Sequence, residues 1–258
     1  MYLRYSSGMK TTALVIPARM DSKRFFGKLL EVYKGKEILR HVLDTALNTE
    51  ILGAEVWVAT DSEIIAEKAS EWGAKVFISQ PGLKNGTERI AEFSKSNVKD
   101  FYINIQGADP TLIESVISKT FEKLVIGDFQ VVTPTFRIVD QGVFEESNKV
   151  KVVKKVNDSV LYFSRSPIPN FNSHTSKDEN IDFENEVKAL GHIGVYGYTY
   201  DALQIYGGLP ESQLEALEKL EQLRFIENGV EIGTFLVDFV PSAIDSPEDL
   251  FSLNKESR

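Results

Sequence analysis

The chain contains no cysteine and only three histidines among its 258 residues. Without thiols there can be no disulfide framework, no thiolate metal site and no cysteine nucleophile, and a reducing, cytoplasmic setting is the default expectation. The few histidines sit without an evident nucleophilic partner, so no Ser-His-Asp arrangement is expected. Long apolar runs are also missing. No segment approaches the ~18–20 consecutive apolar residues that cross a bilayer, and residues 1–10 are short and polar where a secretory leader would be apolar. Excess positive charge is absent too: 29 Lys and Arg stand against 38 Asp and Glu, a net charge of -9. That balance argues against a broad nucleic-acid or membrane surface, although a small anionic ligand needs only a local pocket of cations.

What remains is ordinary globular composition, 42% apolar and 26% charged, in a chain long enough to bury a substantial core. The first two-thirds alternate short β-rich runs with helical patterns, which predicts an α/β fold with a mostly parallel twisted sheet and helices on both faces. Strands are predicted at residues 12–17, 56–60, 75–79, 101–106 and 131–136. Helices are predicted at 38–47, 63–72, from 87, and at about 112–124. Asp61 and Ser62 can cap the second helix. Several strands run into polar loops rich in Arg, Asp, Gly and Thr, which suggests a ligand crevice at their carboxyl ends.

From about residue 150 the pattern changes. Residues 151–156 and 160–165 predict a hairpin about Asn157-Asp158-Ser159, and 170–186 predicts an exposed polar loop of doubtful order. A strand at 193–198, a helix over 212–228 ending at Gly229, a strand at 232–240 and a short helix begun by Ser246 and Pro247 complete the reading.

The strongest local signal is the loop Pro17-Ala18-Arg19-Met20-Asp21-Ser22-Lys23-Arg24-Phe25-Phe26-Gly27-Lys28, which follows the first strand and carries four cations in twelve residues. A triphosphate brings about four negative charges; Arg clamps its oxygens in pairs and Lys acts as a point charge. A merely solvated basic loop is the competing reading. No G-x-x-x-x-G-K-[ST] is present, so side chains rather than a glycine nest would grip the phosphates.

This loop resembles the nucleotide-binding signature of bacterial sugar nucleotidyltransferases, especially the 3-deoxy-manno-octulosonate cytidylyltransferases (CMP-Kdo synthetases). The similarity continues in order through Val58-Ala59-Thr60-Asp61, Gly86-Thr87-Glu88-Arg89, Asn104-Ile105-Gln106-Gly107, Leu161-Tyr162-Phe163-Ser164-Arg165, His192-Ile193-Gly194-Val195-Tyr196-Gly197-Tyr198, Leu220-Glu221-Gln222-Leu223-Arg224 and Asp245-Ser246-Pro247-Glu248-Asp249-Leu250. The resemblance implies a Rossmann-like nucleotide-diphospho-sugar transferase fold. It implies one nucleotidyltransferase domain over residues 1–258, with a hairpin subdomain at about 138–200 through which the family dimerises, and hence a homodimer. It also implies the activity: CTP is coupled to an acidic eight-carbon sugar, giving CMP-sugar and pyrophosphate, with Mg2+ as cofactor, for lipopolysaccharide synthesis.

Position by position, the resemblance assigns Pro17, Ala18, Arg19, Arg24 and Lys28 to the nucleotide, with Lys28 neutralising the departing pyrophosphate. Arg89 and Gln106 fall near the nucleotide and the sugar carboxylate; His192, Tyr196, Glu221 and Gln222 face the sugar. Read without it, His192 is more readily a satisfied core histidine, and Glu221 and Gln222 are solvent-facing residues of an amphipathic helix. Arg165 either binds ligand or stabilises the hairpin. Asp245 matches a metal carboxylate, or else caps the last helix.

The sequence departs from the family at the second metal carboxylate. Where the family reads Q-G-D-x-P, this chain has Gln106-Gly107-Ala108-Asp109-Pro110. Asp109 could turn inward as a substitute, although neighbouring side chains on an extended backbone point opposite ways. Phe26 and Asn85 are smaller departures, where the family often has Pro and Ser. Two alternatives therefore stay open: a cytidylyltransferase for another acidic sugar, such as an 8-amino-Kdo or sialic-type acid, and a metal-impaired homologue that binds CTP or sugar.

Overall fold

A computed structural model of the chain describes residues 10–20, 25–170 and 189–256. The cationic loop's Asp21, Ser22, Lys23 and Arg24 lie outside the described residues, as does most of the polar stretch predicted at 170–186.

Strand β1 (Thr12–Ala18) is buried on both faces, as a central parallel strand must be. The two short strands β2 (Val32–Tyr33) and β3 (Lys36–Glu37) form a small hairpin, and helix α1 (Ile38–Asn48) follows. Then come β4 (Ala54–Thr60), α2 (Glu63–Glu71), β5 (Lys75–Ile78), α3 (Gly86–Ser96), β6 (Phe101–Ile105), α4 (Glu114–Ile126) and β7 (Val131–Arg137). Ser62 caps α2, as expected, by accepting the Ile65 amide. The second part adds α5 (Gln141–Glu145), β8 (Lys151–Lys154), β9 (Val160–Ser164), β10 (Leu190–His192), β11 (Val195–Thr199), α6 (Tyr200–Gly208), α7 (Gln213–Glu218), α8 (Leu223–Glu227), β12 (Ile232–Leu236) and α9 (Pro247–Glu256).

Ten strands form one sheet in the order β5-β4-β1-β6-β11-β7-β10-β8-β9, with β12 parallel to β7. β9, β10 and β11 run against the others, so the sheet is mixed but mostly parallel, as predicted. The order reverses at β1, which has β4 on one side and β6 on the other. That reversal opens a crevice beyond the carboxyl ends of these strands. One apolar cluster gathers Leu14, Ile16, Leu39, Val42, Ile103 and Val116 on the α1 and α4 face. Another gathers Ala13, Val15, Ile90, Phe93, Tyr102 and Leu203 on the α3 and α6 face. Alternate residues of β1 serve opposite clusters, the period of two that a pleated strand dictates.

Two predicted elements need correction. The strand read at 193–198 is β11, which begins two residues later, and a further short strand, β10, precedes it across a break at Ile193 and Gly194. Opposite the break lies Pro134 of β7, which has no amide to donate. Its carbonyl accepts the Ile193 amide (3.2 Å), while the Thr133 hydroxyl bonds the carbonyls of Ile193 (3.2 Å) and Val195 (2.8 Å). The helix read over 212–228 is also two pieces. Lys219 adopts a left-handed conformation (φ 56°) after α7, which costs about 1–2 kcal/mol for a residue with a Cβ. Offsetting contacts surround the turn: Leu220 and Leu223 are buried, and Arg165 Nε donates to the Glu218 carbonyl (2.9 Å). Glu218's own carboxylate accepts from Ser164 Oγ (2.6 Å) and the Arg165 amide (3.0 Å). Arg165 therefore ties the β8–β9 hairpin to the end of α7. Gly229 closes α8 at φ 76°, as expected, and β12 is shorter than the strand predicted at 232–240.

The edge of β4 yields a testable consequence. Glu55 accepts from Lys75 (2.6 Å), forms an ion pair with Lys99 (2.8 Å) and accepts from Trp57 Nε1 (3.2 Å). The Lys75 bond above all, with Lys99 beside it, holds its pKa down to about 2 from 4.5. A depressed carboxylate pKa contributes stability above the unfolded value that is lost as pH falls through the folded one. The stability gap between wild type and Glu55→Gln is therefore expected to narrow between pH 4.5 and 2. Urea midpoints across that range check it, and a gap independent of pH contradicts it.

Candidate active site

The crevice is built from four chain segments. The first leaves β1 through Pro17, Ala18 and Arg19. Arg19 is exposed, and its Nη1 donates to the Lys84 carbonyl (3.3 Å). The loop returns at Gly27, whose left-handed backbone (φ 69°) lets its amide donate to the Met20 carbonyl (3.1 Å). Lys28 then turns to the second segment, residues 241–246. Its Nζ donates to the Ile244 carbonyl and to Asp245 Oδ1, each at 2.9 Å, with the side chain only 14% exposed. Arg19 and Lys28 thus face different neighbours across the crevice.

The third segment follows β6. Gln106 is exposed and lies against Gly194, where a Cβ would fall 2.5 Å from Gln106 Oε1. The absence of a side chain at Gly194 gives the amide its place. Ala108 is buried in the apolar cluster, and its carbonyl accepts the Ile244 amide (2.8 Å), which stitches the third segment to the second. Asp109 is buried, and its Oδ1 accepts from the Thr111 amide (3.1 Å) and hydroxyl (2.6 Å). Burial raises its pKa, while the Thr111 bonds and the nearby Lys149 charge work in the opposite direction. The inward turn suggested for Asp109 leads to Thr111 of its own loop and to the Ser242 backbone of the second segment. Ser246 supplies the α9 cap, accepting the Asp249 amide (3.2 Å), and Asp249 Oδ2 accepts the amides of Asp245 and Ser246 (both 2.8 Å). The Asp245 carboxylate bonds Lys28 rather than capping the helix.

The fourth segment is the start of α3. Asn85 caps it by accepting the Glu88 amide (2.8 Å), and Gly86 sits close to Pro17, where a Cβ would meet Pro17 Cγ at 3.1 Å. Glu221, released from the helix by the turn at Lys219, accepts the Gly86 amide (3.0 Å) and the Thr87 hydroxyl (2.8 Å). Burial raises its pKa above the usual 4.5, against the pull of the Thr87 and Gly86 bonds. Glu221 and Gln222 are therefore not on a solvent-facing helix surface. Gln222 Nε2 and, on β6, Asn104 Oδ1 are buried without a hydrogen-bond partner among the described residues, the condition of atoms that await a ligand group or water.

Behind α3 lies a buried ionic knot that sequence reasoning missed. Arg224 bonds Glu215 (2.7 and 2.8 Å) and Glu88 (2.8 Å) while its guanidinium covers the Tyr206 ring at 4.3 Å. Asn85 Nδ2 donates to Tyr206 (3.0 Å) and Glu215 (3.2 Å). The departure at Asn85 thus gives α3 a cap with a second, stapling amide. The signal was present as Asn followed three residues later by Glu. The pairing with Arg224, 136 residues away, was not.

Arg89 is buried, donating to Asp61 (3.0 Å) and Ser79 at the ends of β4 and β5. Its guanidinium braces the crevice wall in this state. His192 contacts Thr133 Oγ1 (3.1 Å) and packs between Phe163 and Tyr196, at ring centroid separations of 5.3 and 5.2 Å. Burial pushes its pKa down to about 3, so the imidazole is neutral. Tyr196 is buried and stacks on Tyr198 at 5.7 Å, its phenol also kept neutral by burial. These rings form an apolar floor. Arg24 lies outside the described residues, so its place relative to Arg19 and Lys28 is not part of this geometry.

Among the described residues no three His, Asp or Glu side chains converge as a metal site. No described helix is long and apolar enough to cross a membrane. The geometry brings Arg19, Lys28, Gln106 and the start of α3 to the loops beyond the carboxyl ends of β1 and β6.

Comparison with known proteins agrees. A family described as Cytidylyltransferase matches residues 13–232. The 3-deoxy-manno-octulosonate cytidylyltransferase of Thermodesulfovibrio yellowstonii is 37% identical over 254 residues, covering 93% of this chain and 95% of that one. The 8-amino-3,8-dideoxy-manno-octulosonate cytidylyltransferase of Shewanella baltica strain OS195 is 38% identical over 244 residues, covering 92% and 94%. The solved structure of CMP:2-keto-3-deoxy-manno-octonic acid synthetase complexed with CTP superposes with a TM-score of 0.83 at 33% identity, covering 96% of this chain and 98% of that one. With the fold, the ordered motifs and these relatives in agreement over nearly its whole length, the chain belongs to the cytidylyltransferase family.

Proposed function

We propose that the chain couples CTP to 3-deoxy-manno-octulosonate or a close acidic relative. The sugar's anomeric hydroxyl attacks the α-phosphorus, the new phosphorus–oxygen bond replaces the bond to the β-phosphate oxygen, and pyrophosphate departs with that electron pair. The hydroxyl proton is released to solvent. Little covalent work falls to the protein, so alignment and charge stabilisation carry the catalysis. Lys28 and Arg19 would hold phosphate oxygens, with Arg24 the third cation of that set. Gln106 would orient the sugar carboxylate, and His192, Tyr196 and Gln222 would line the sugar. Glu221 and Arg89 would act through the walls they brace. The observation that carries this reading is the Lys28 ammonium at the carboxyl-end crevice, in a chain whose fold follows a CTP complex so closely.

The family resemblance brings Mg2+, which would supply Lewis-acid charge stabilisation at the phosphates. The described residues do not fit a site held by two protein carboxylates, because Ala108 stands in one place and Asp109 is engaged by Thr111 and the Ser242 backbone. Asp245 is the remaining carboxylate that would face the metal.

A second reading, an 8-amino sugar as acceptor, is favoured by the Shewanella relative, whose identity matches that of the 3-deoxy-manno-octulosonate relative. Pyrophosphate release from CTP with a panel of ulosonic acids distinguishes them. Release with 3-deoxy-manno-octulosonate supports the first reading, release only with the 8-amino acid the second, and CTP binding without release with any acid overturns both. A homodimer formed through the β8–β9 hairpin within residues 138–200, a cytoplasmic location and a role in lipopolysaccharide synthesis belong to the same proposal. Light scattering giving a monomer mass would remove the dimer.

A further inference from the structure

Residues 241–245 belong to no helix or strand, so bonds from other parts of the chain must hold them. Lys149 Nζ donates to the Pro241 carbonyl (2.8 Å). Asp109 is bonded by the Ser242 backbone, and because an ionised carboxylate only accepts, the group it meets there is the Ser242 amide. The Pro241 oxygen and the Ser242 nitrogen belong to one planar peptide unit, which is trans and so points them in opposite directions. An ammonium at the oxygen and a carboxylate at the amide match the two ends of the peptide dipole, and hydrogen bonds to ionised groups are roughly twice as strong as neutral ones. We propose that Lys149 and Asp109 are positioning residues that clamp the Pro241–Ser242 peptide from both ends, and so fix the 241–246 segment on which the Lys28 ammonium rests; the bearing of this on CTP depends on the nucleotide reading above.

Both arms of the clamp are themselves held. Asp109 Oδ1 accepts from the Thr111 amide (3.1 Å) and hydroxyl (2.6 Å). On the other side, the Lys149 carbonyl accepts from Lys151 Nζ (2.5 Å), a fully buried ammonium that also bonds the Glu146 carbonyl (2.7 Å). Arg165 Nη1 donates to the Ser147 carbonyl of the same loop (3.1 Å). The loop that carries Lys149 is thus wound around two cations of the β8–β9 hairpin, and its own ammonium is aimed before any ligand arrives. Beyond the clamped peptide, the Ile244 amide donates to the Ala108 carbonyl (2.8 Å) and the Ile244 carbonyl accepts Lys28 Nζ (2.9 Å). Consecutive residues Ala108 and Asp109 therefore grip the segment at two points, and Lys149 sets its approach. Loosening that approach moves the seat of Lys28, and displacing a reacting or binding group by about 1 Å can cost on the order of a hundredfold in rate.

The test compares full-length Lys149→Met with wild type. Amide hydrogen exchange followed by mass spectrometry is expected to quicken in peptides spanning 241–247 and not in those of β1 or α3. The kcat/KM for CTP is expected to fall about tenfold, while KM for 3-deoxy-manno-octulosonate stays within about twofold. Lys149→Arg, which keeps the charge and a donor, should recover most of the loss. Because the effect passes through Lys28, adding Lys149→Met to Lys28→Met should cost less than about twofold more. Asp109→Asn keeps an acceptor without the charge, so it should move both readouts the same way by less, and it carries the test if Lys149→Met does not fold.

Exchange over 241–247 that neither substitution changes would overturn the clamp. Faster exchange with no loss of kcat/KM, or with the full loss repeated in the Lys28→Met background, would overturn the route through Lys28. Calorimetry showing no CTP binding by wild type removes the nucleotide reading, whereas the exchange comparison still decides the clamp.

Discussion

Replacing Lys28 with Met is expected to lower kcat/KM for CTP by about a hundred- to a thousandfold, the usual cost of deleting a preorganised group that meets charge developing in a transition state. Lys28 is held in place before any ligand arrives, by the Ile244 carbonyl and Asp245, with little solvent around its stem. Such an ammonium already stands at the crevice when the pyrophosphate charge grows. Steady-state pyrophosphate release measures the effect, and Lys28→Arg provides the control. Guanidinium keeps the charge but is broader and planar, so it should recover only part of the rate. If Lys28→Met retains more than about a tenth of wild-type kcat/KM, the ammonium is a structural tie for the 244–245 segment and the catalytic role fails.

Arg224→Leu is expected to destabilise the fold by about 3 kcal/mol, because it leaves the buried Glu215 and half-buried Glu88 carboxylates without their counter-ion. Glu215 is 7% and Glu88 19% exposed at the side chain, and both depend on this guanidinium. Burial alone would make it easier to deprotonate Arg224; its bonds to Glu215 and Glu88 outweigh that and keep it firmly charged. Urea denaturation with an unchanged m-value gives the measurement. A loss below about 1 kcal/mol would mean that water or a shifted side chain compensates the carboxylates. Exchanging Arg224, Glu215 and Glu88 together for apolar residues of similar volume should restore much of the stability, since it is the unpaired charge that is costly.

The alternation of strands and helices through residue 137 was legible because period and capping agree there. β1 alternates faces, Ser62 caps α2 as expected, and the elements closely match their predicted bounds. The cationic loop and its place after β1 were equally plain. The Lys219 turn was not, because 212–228 has good helical composition and only tertiary contacts favour a left-handed lysine within it. With it went the burial of Glu221 and its bond to the start of α3. α6 escaped because Gly207 and Gly208 end a short helix whose Thr199 cap follows directly on a strand. The break between β10 and β11 depends on Pro134 lying opposite, a long-range pairing that local pattern cannot reveal. Lys28's grip on Asp245 spans 217 positions, so the chain announced both charges but not their union.

The amino-terminal cation loop and the final helix share a small nucleus of their own: Phe25 and Leu250 with Leu253 pack on Tyr33, Ile38 and Ile244, beside the oxygens that hold Lys28. On the proposed nucleotide reading, the tail buttresses the segment that holds Lys28. Trimming α9, or fusing a bulky partner that pulls it off, should weaken CTP binding while the rest of the sheet stays folded.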